Sequence, residues 1–316
     1  MTARTDFGPY GWTPDRLPNL AGKTFAITGG NSGIGYEAAR LLGAKEAAVT
    51  ILCRSKDKAE AAVAALKTAS PAGKFDYLLM DLADLSTVRA AAKALRDRRA
   101  KIDGLINNAG IMALPRRALT ADGFETQFGV NHLGHFAFAG LLSDVVEAAG
   151  GRFVVVASGV HHFGRIDFDN LMLDRGYSPA RAYAQSKLAN LMFALELNRR
   201  LENAGCKARC YACHPGYSAT NLQSTGPSRL IAGVLRPMNA IFAQSADKGA
   251  LPTVLCAAGA EAEPGRYYGP TGLAELTGPV REAKIARQAR DESAAAHLWE
   301  TSATLTGVAW PIFKKA

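Results

Sequence analysis

Thr28-Gly29-Gly30-Asn31-Ser32-Gly33-Ile34-Gly35 closes the apolar run Thr24–Thr28 and leads directly into the helical stretch 36–42. Glycines at a strand-to-helix turn let the backbone come close to a phosphate group. That group then sits on the helix N-terminus, where free N–H groups and the macrodipole favour an anion. The reading therefore starts from a phosphate-binding loop inside a strand-loop-helix unit. Its glycines at 29, 33 and 35 differ from the dinucleotide fingerprint with glycines at first, third and sixth places. A plain tight turn is the competing reading of such a cluster, and the position after the first strand of a βαβ unit argues against it.

Working outward, short apolar runs alternate with Ala-rich helical stretches. Thr24–Thr28, Ala48–Cys53, 75–80, Gly104–Asn107, 153–157 and Arg209–Cys213 read as buried strands. Strand, helix, strand order with near-continuous apolar strands predicts an α/β fold: a doubly wound parallel sheet, the Rossmann arrangement, covered on both faces. No repeat and no long Pro/Ser linker divides the chain. One domain, 20–316, is expected, preceded by a surface arm, 1–19. The segment 221–244 lies between two elements without belonging to the sheet.

Composition narrows the classes. Of 316 residues 48% are hydrophobic and 21% charged, enough for a sizeable core and far from a disordered tail. The formal net charge of +9 raises nucleic acid or an anionic surface as partners. The excess is scattered, however, and its densest run, 96–101, still contains Asp97 and reads as a solvated helix face. No recognition motif supports nucleic-acid binding. Five cysteines without paired spacing fit a reducing compartment, so a cytoplasmic protein is expected. The stretch 1–18 has no apolar h-region, and no long apolar run predicts a membrane span or anchor.

The second strand ends Leu52-Cys53-Arg54-Ser55-Lys56, and no carboxylate occurs before Asp57. An acid at that place would hold a ribose 2′-hydroxyl, whereas Arg54 suits a 2′-phosphate through charge-assisted bonds. NADP(H) is thus expected over NAD(H). The plainer reading is that Arg54 and Ser55 open a helix with Ser55 as its N-cap.

Here the sequence resembles the short-chain dehydrogenase/reductase family, whose glycine motif is Thr-Gly-x-x-x-Gly-x-Gly, and the resemblance runs over roughly residues 20–270. It implies cofactor contacts from Gly29, Asn31, Ser32, Gly33, Ile34, Gly35, Arg54 and Ser55. Asp81-Leu82 matches the adenine-contacting pair, and Asn107-Asn108-Ala109-Gly110 the motif after the fourth strand. Asn131 matches the helix asparagine, Ser158 the catalytic serine and Tyr183-Ala184-Gln185-Ser186-Lys187 the Tyr-x-x-x-Lys. Pro215, Gly216 and Thr220 match the nicotinamide-side loop. The implied catalytic set is Asn131, Ser158, Tyr183 and Lys187, with Ser158 holding the substrate oxygen, Lys187 also binding the nicotinamide ribose and Asn131 placing a water in the proton path.

The chemistry gives a separate reason for these residue types. Tyr183 and Lys187 are four apart and share one helix face. A phenol with pKa near ~10 is a poor base at neutral pH, and a neighbouring ammonium is expected to lower that value. The resemblance is nearest to retinol dehydrogenase-like members, on Val160-His161-His162-Phe163-Gly164-Arg165-Ile166, on Ser186-Lys187-Leu188-Ala189-Asn190-Leu191 and on the 25-residue spacing from Ser158 to Tyr183. Ala157 replaces a serine often found before the catalytic one. The apolar N-terminal anchor of several such members has no counterpart in 1–18.

Cys210-Tyr211-Ala212-Cys213-His214 matches the Cys-x-x-Cys-His haem attachment pattern, with Cys206 as a further candidate ligand. On a strand, Cys210 and Cys213 have opposite parity and face opposite sides of the sheet, so no metal site is expected. The whole reads as an NADP(H)-dependent alcohol dehydrogenase or carbonyl reductase. A non-catalytic NADP(H)-binding regulator of the same fold is the alternative, and loss of Tyr, Lys or Ser would mark it. The family resemblance implies a homodimer or homotetramer.

Between Thr220 and Ser245 there is no Asp or Glu. Leu230, Ile231, Val234, Leu235, Met238, Ile241 and Phe242 recur at helical spacing, bent near Pro237. Core or subunit interface is one reading of this stripe, and a substrate lid over 221–244 is the other. With Ile111, Met112, Leu114, Phe163, Leu222 and Met238 as pocket walls, and His161 and His162 as walls rather than ligands, the lid reading predicts a bulky apolar ketone or secondary alcohol as substrate.

Overall fold

The computed structural model describes residues 7–217 and 244–313. Eight strands form one sheet in the order β3-β2-β1-β4-β5-β6-β7-β8. They are β1 (Thr24–Thr28), β2 (Ala48–Cys53), β3 (Lys74–Leu79), β4 (Gly104–Asn107), β5 (Arg152–Val156), β6 (Arg209–Cys213), β7 (Tyr267–Pro270) and β8 (Val280–Glu282). Every pairing is parallel except β7 with β8. The order reverses between β1 and β4, and ligands of open α/β sheets bind beyond the strand ends at such a point.

The helices are α1 (Gly33–Gly43), α2 (Lys56–Ala69), α3 (Leu85–Arg98), α4 (Thr126–Phe128), α5 (Gly134–Leu141), α6 (Ser143–Ala149), α7 (Pro179–Asn203), α8 (Ala246–Ala258) and α9 (Glu292–Thr306). Strand parity divides the core into two layers. Ala26, Phe153, Val155, Cys210 and Ala212 pack on one face with the aromatic group Phe136, Phe193, Trp299 and Trp310. Phe25, Ile27, Val154, Val156, Tyr211 and Cys213 pack on the other, against α1, α2 and α8. Cys210 and Cys213 therefore lie in different layers, and a single metal ion could not reach both thiols.

Two expectations are corrected. The sheet carries two strands beyond the six read from the sequence, because β7 and β8 are short and their pairing is decided by distant partners. The described part of the expected surface arm, 7–19, packs on the body: Trp12 is 1% exposed, and Phe7 and Leu17 are also buried. Trp12 N donates to Val280 O at 3.0 Å and Trp12 Nε1 to Glu261 Oε2 at 3.0 Å, while Phe7 meets Tyr268 edge-on at 6.1 Å. Burial of this aromatic pair stabilises the β8 edge. No helix among the described residues is long and apolar enough to cross a membrane. The basic run 96–101 is partly spent within the fold, Arg96 on Asp144 and Arg99 on Asp76.

Candidate active site

A cleft of about 740 Å³ runs along the carboxyl ends of β1 to β6, well within the size range of cofactor sites. Its first wall is the glycine loop. Gly29 has φ +67°, which L side chains rarely adopt, and a Cβ on Gly35 would lie 2.5 Å from both Gly29 O and Asn108 Nδ2. The loop is closed by contacts that only hydrogen at these positions allows. Asn31, Ser32, Gly33 and Ile34 also line the cleft, and the Ser32 hydroxyl makes no bond to the start of α1. The N-terminus of α1 thus faces the cleft without a side-chain cap from Ser32. These features fit the phosphates of a dinucleotide.

At the end of β2, Arg54 and Ser55 line the cleft, as does Lys58 one turn into α2. Ser55 is both lining residue and N-cap, accepting from Lys58 N at 3.5 Å. Lys58 escaped the sequence reading, although its place three residues after Ser55 puts it on the first turn beside Arg54. Asp81 and Leu82 lie at the end of β3; the Asp81 carboxylate accepts from Ala83 N at 2.9 Å, which sets its turn. Asn108, Ala109 and Gly110 lie beneath the glycine loop. The side chain of Asn108 is used within the fold, donating to Thr28 O at 2.8 Å.

At the other end Ser158, Tyr183 and Lys187 meet. α7 starts at the Ser178 N-cap and Pro179, and its turn length brings Tyr183 and Lys187 onto one face. Tyr183 and Ser158 line the same end of the cleft, and the Ser158 hydroxyl accepts from Val160 N at 3.4 Å. Lys187 Nζ lies 5.8 Å from the Tyr183 ring centre and donates to Val156 O at 3.1 Å. Asn131 stands behind the cleft wall within a π-helical turn, Gly129–Leu133. Its Oδ1 accepts from Ile111 N at 2.8 Å, and its Nδ2 donates to Ile111 O and Ser186 Oγ, each at 2.9 Å. Such wide turns often occur at functional sites.

The expected electrostatics are corrected here. Burial pushes the Tyr183 phenol up to about 12, the neighbouring Ser158 hydroxyl only partly offsetting it, and burial brings the Lys187 ammonium down to about 8. The ammonium was expected to lower the phenol, but Lys187 is not among the causes that set it, and desolvation decides the direction.

Ile111, Met112, Pro215 and Gly216 line the substrate end, with Val130, Val160 and Tyr217, which sequence reading did not select. Leu114, Phe163, His161 and His162 do not line the cleft. The 3₁₀ turn Gly159–Phe163 sends Phe163 outward to 86% exposure and turns His161 into the body behind Ser158. The Leu114 carbonyl accepts from Tyr177. His214 is stacked on Tyr267 at 5.0 Å, its Nδ1 accepts from Gly216 N, and burial lowers it to about 3. Thr220, Leu222, Met238 and the apolar stripe lie outside the described residues.

Residues 23–229 match the short chain dehydrogenase family, and the chain belongs to that family of oxidoreductases, which bind a nicotinamide cofactor, NAD or NADP. Within it the chain is similar to retinol dehydrogenases. It is 37% identical to retinol dehydrogenase 12 of Mus musculus over 92% of this chain and 88% of the relative. It is 36% identical to retinol dehydrogenase 13 of Homo sapiens, over 97% and 91%. A crystal structure of an uncharacterised protein from Mycobacterium paratuberculosis superposes with a TM-score of 0.80 at 41% identity, covering 95% of this chain and 99% of that one.

Proposed function

We propose that the protein is an NADP(H)-dependent alcohol dehydrogenase or carbonyl reductase acting on bulky apolar ketones and secondary alcohols. The carrying observation is that Ser158, Tyr183 and buried Lys187 line one cleft with the glycine loop and the cations Arg54 and Lys58. The glycine loop and the α1 N-terminus would hold the cofactor's pyrophosphate, and Arg54, Ser55 and Lys58 its 2′-phosphate. When bound, the cofactor supplies or accepts the hydride at the substrate carbon.

The side chains do the rest. Ser158 holds the substrate oxygen, and Tyr183 donates a proton to it as a carbonyl is reduced or accepts one as an alcohol is oxidised. A phenol held near 12 keeps its proton at neutral pH, which suits the donor role. Lys187 supplies the positive charge that stabilises the phenolate left behind. With its ammonium lowered to about 8, that charge is lost as pH rises through about 8 rather than through ~10.4. The kcat/KM for ketone reduction is therefore expected to fall on an alkaline limb near pH 8. A profile flat to pH 10 would remove Lys187 from the proton chemistry.

Ile111, Met112, Val130 and Val160 give the substrate end apolar walls, and similar proteins are named retinol dehydrogenases. Each methylene buried there is worth about 0.8 kcal/mol. Aryl alkyl and diaryl ketones are expected to exceed acetone-sized or sugar-like compounds by well over ~10-fold in kcat/KM, from two or more such groups. The test is a graded carbonyl and alcohol panel with both cofactors, followed by nicotinamide absorbance. A flat size dependence would sink the apolar-substrate reading and leave the hydride chemistry standing. We also propose a cytoplasmic homodimer or homotetramer, from cysteine content and family resemblance respectively; light scattering on a sizing column tests the assembly.

A further inference from the structure

Behind the cleft lies a buried histidine that the mechanism above does not use. His135, on the first turn of α5, is 2% exposed, and between Asn131 at 0% and Thr28 at 1% it is sealed from water. Its Nδ1 is 2.9 Å from Asn131 O, and its Nε2 is 2.8 Å from Thr28 Oγ1. Thr28 Oγ1 also accepts from Asn108 N and Ala109 N, each at 2.9 Å. Both ring nitrogens thus have partners at good distance.

The proton placement follows from what each group can do. A carbonyl oxygen only accepts, so Nδ1 must carry the hydrogen and donate to Asn131 O. Neutral imidazole then has a bare Nε2, which accepts from the Thr28 hydroxyl. That hydroxyl, its hydrogen committed to Nε2 at 2.8 Å over the more distant Ile106 O at 3.4 Å, presents its lone pairs to the two N–H groups of the loop after β4. Burial, assisted against the backbone bond by the nearby Lys187 charge, lowers His135 to about 4, so the neutral ring persists through the physiological range. Asn131, meanwhile, has its entire side-chain amide engaged by Ile111 and Ser186. Its backbone carbonyl is the group through which the ring can hold it.

We propose that His135 is a positioning residue, a neutral Nδ1–H imidazole that ties the Asn131 backbone to the Thr28 end of the phosphate loop, registering the proton-handling corner against the cofactor floor. Each end of the ring serves one half of the cleft. The Asn131 end fixes the turn beside Lys187: a Cβ on Gly110 would lie 3.3 Å from Asn131 Oδ1 and 3.6 Å from Lys187 Nζ, which shows how closely these groups are placed. The Thr28 end fixes Asn108 and Ala109, which lie beneath the glycine loop.

This inference rests on the oxidoreductase reading only for its activity arm, and the test separates the two. Asn can imitate the Nδ1–H donor and Gln the Nε2 acceptor. His135→Asn is expected to lose more NADPH affinity than turnover, and His135→Gln more turnover than NADPH affinity. His135→Leu should lose both, each leaving a buried polar partner unpaired, on the order of tenfold per end. NADPH dissociation constants come from fluorescence titration and fold integrity from thermal melts. In ¹⁵N-histidine NMR of the unmodified full chain, His135 is expected as the Nδ1–H tautomer with no titration down to pH 5. An Nε2–H tautomer, a titration near 6.5, or Asn and Gln variants that lose affinity in parallel with melting temperature would overturn the proposal. If the wild type turns over no substrate, the oxidoreductase reading fails, and the NMR and NADPH-affinity arms still decide the role of His135.

Discussion

Replacing Tyr183 with Phe is expected to lower turnover by about 10²- to 10⁴-fold, the usual worth of a positioned general acid, while NADPH binding stays within a small factor. The ring that lies near Lys187 Nζ is retained, so packing in the corner is preserved. What is lost is the hydroxyl on the Ser158 side of the corner, to which the proposed mechanism assigns proton delivery to the carbonyl oxygen. Steady-state kinetics with a bulky ketone, paired with a fluorescence titration of NADPH, checks both halves. Most of kcat surviving would mean that the proton comes from elsewhere. A parallel loss of NADPH affinity would mean that the substitution had disturbed the cleft itself.

The next largest effect is expected at the opposite end. Arg54 and Lys58 are the two cations lining the cleft beyond β2, and both are exposed. Charge-assisted bonds to a phosphate are worth about 1.5–3 kcal/mol each, and solvent exposure places these at the lower end. Arg54→Ala alone should cost on the order of tenfold in kcat/KM for NADPH, and the Arg54→Ala, Lys58→Ala pair on the order of a hundredfold. NADH lacks the 2′-phosphate and should change little. The NADPH loss should also shrink at high salt, because screening weakens exposed charges in the wild type first. Equal losses for the two cofactors would withdraw the 2′-phosphate assignment.

Much of this site was legible because it depends on local spacing. The glycine turn follows a strand and opens a helix, so its purpose is visible within a dozen residues. Tyr183 and Lys187 share a face by helical geometry alone, and the parity of Cys210 and Cys213 put their thiols in separate layers. What was not legible depends on long-range packing. β7 is four residues ending in Pro270 and β8 is three, too short for a periodic signal. Trp12 lies in the segment read as a surface arm, and the partners that bury it, Val280 and Glu261, are far along the chain. The direction of the Tyr183 shift could not be read from a four-residue spacing, since desolvation depends on everything that encloses the ring. Phe163 was expected in the pocket from its nearness to Ser158, and the 3₁₀ turn between them points it to solvent. His135 showed no motif role because its partners, Thr28 and the Asn131 backbone, meet only across the fold.

The corner formed by Ser158, Tyr183 and Lys187 is the proposed place of hydride transfer between a nicotinamide and a carbonyl carbon. The most direct measurement uses NADPH carrying deuterium at the transferable position, a bulky aryl alkyl ketone and the full-length chain, with the product alcohol examined by mass spectrometry and NMR. Deuterium bonded to the carbinol carbon, matched in amount by NADPH oxidised and absent with Tyr183→Phe, is the expected result. Cofactor left unoxidised across the whole panel, or product formed without deuterium at that carbon, would contradict the account.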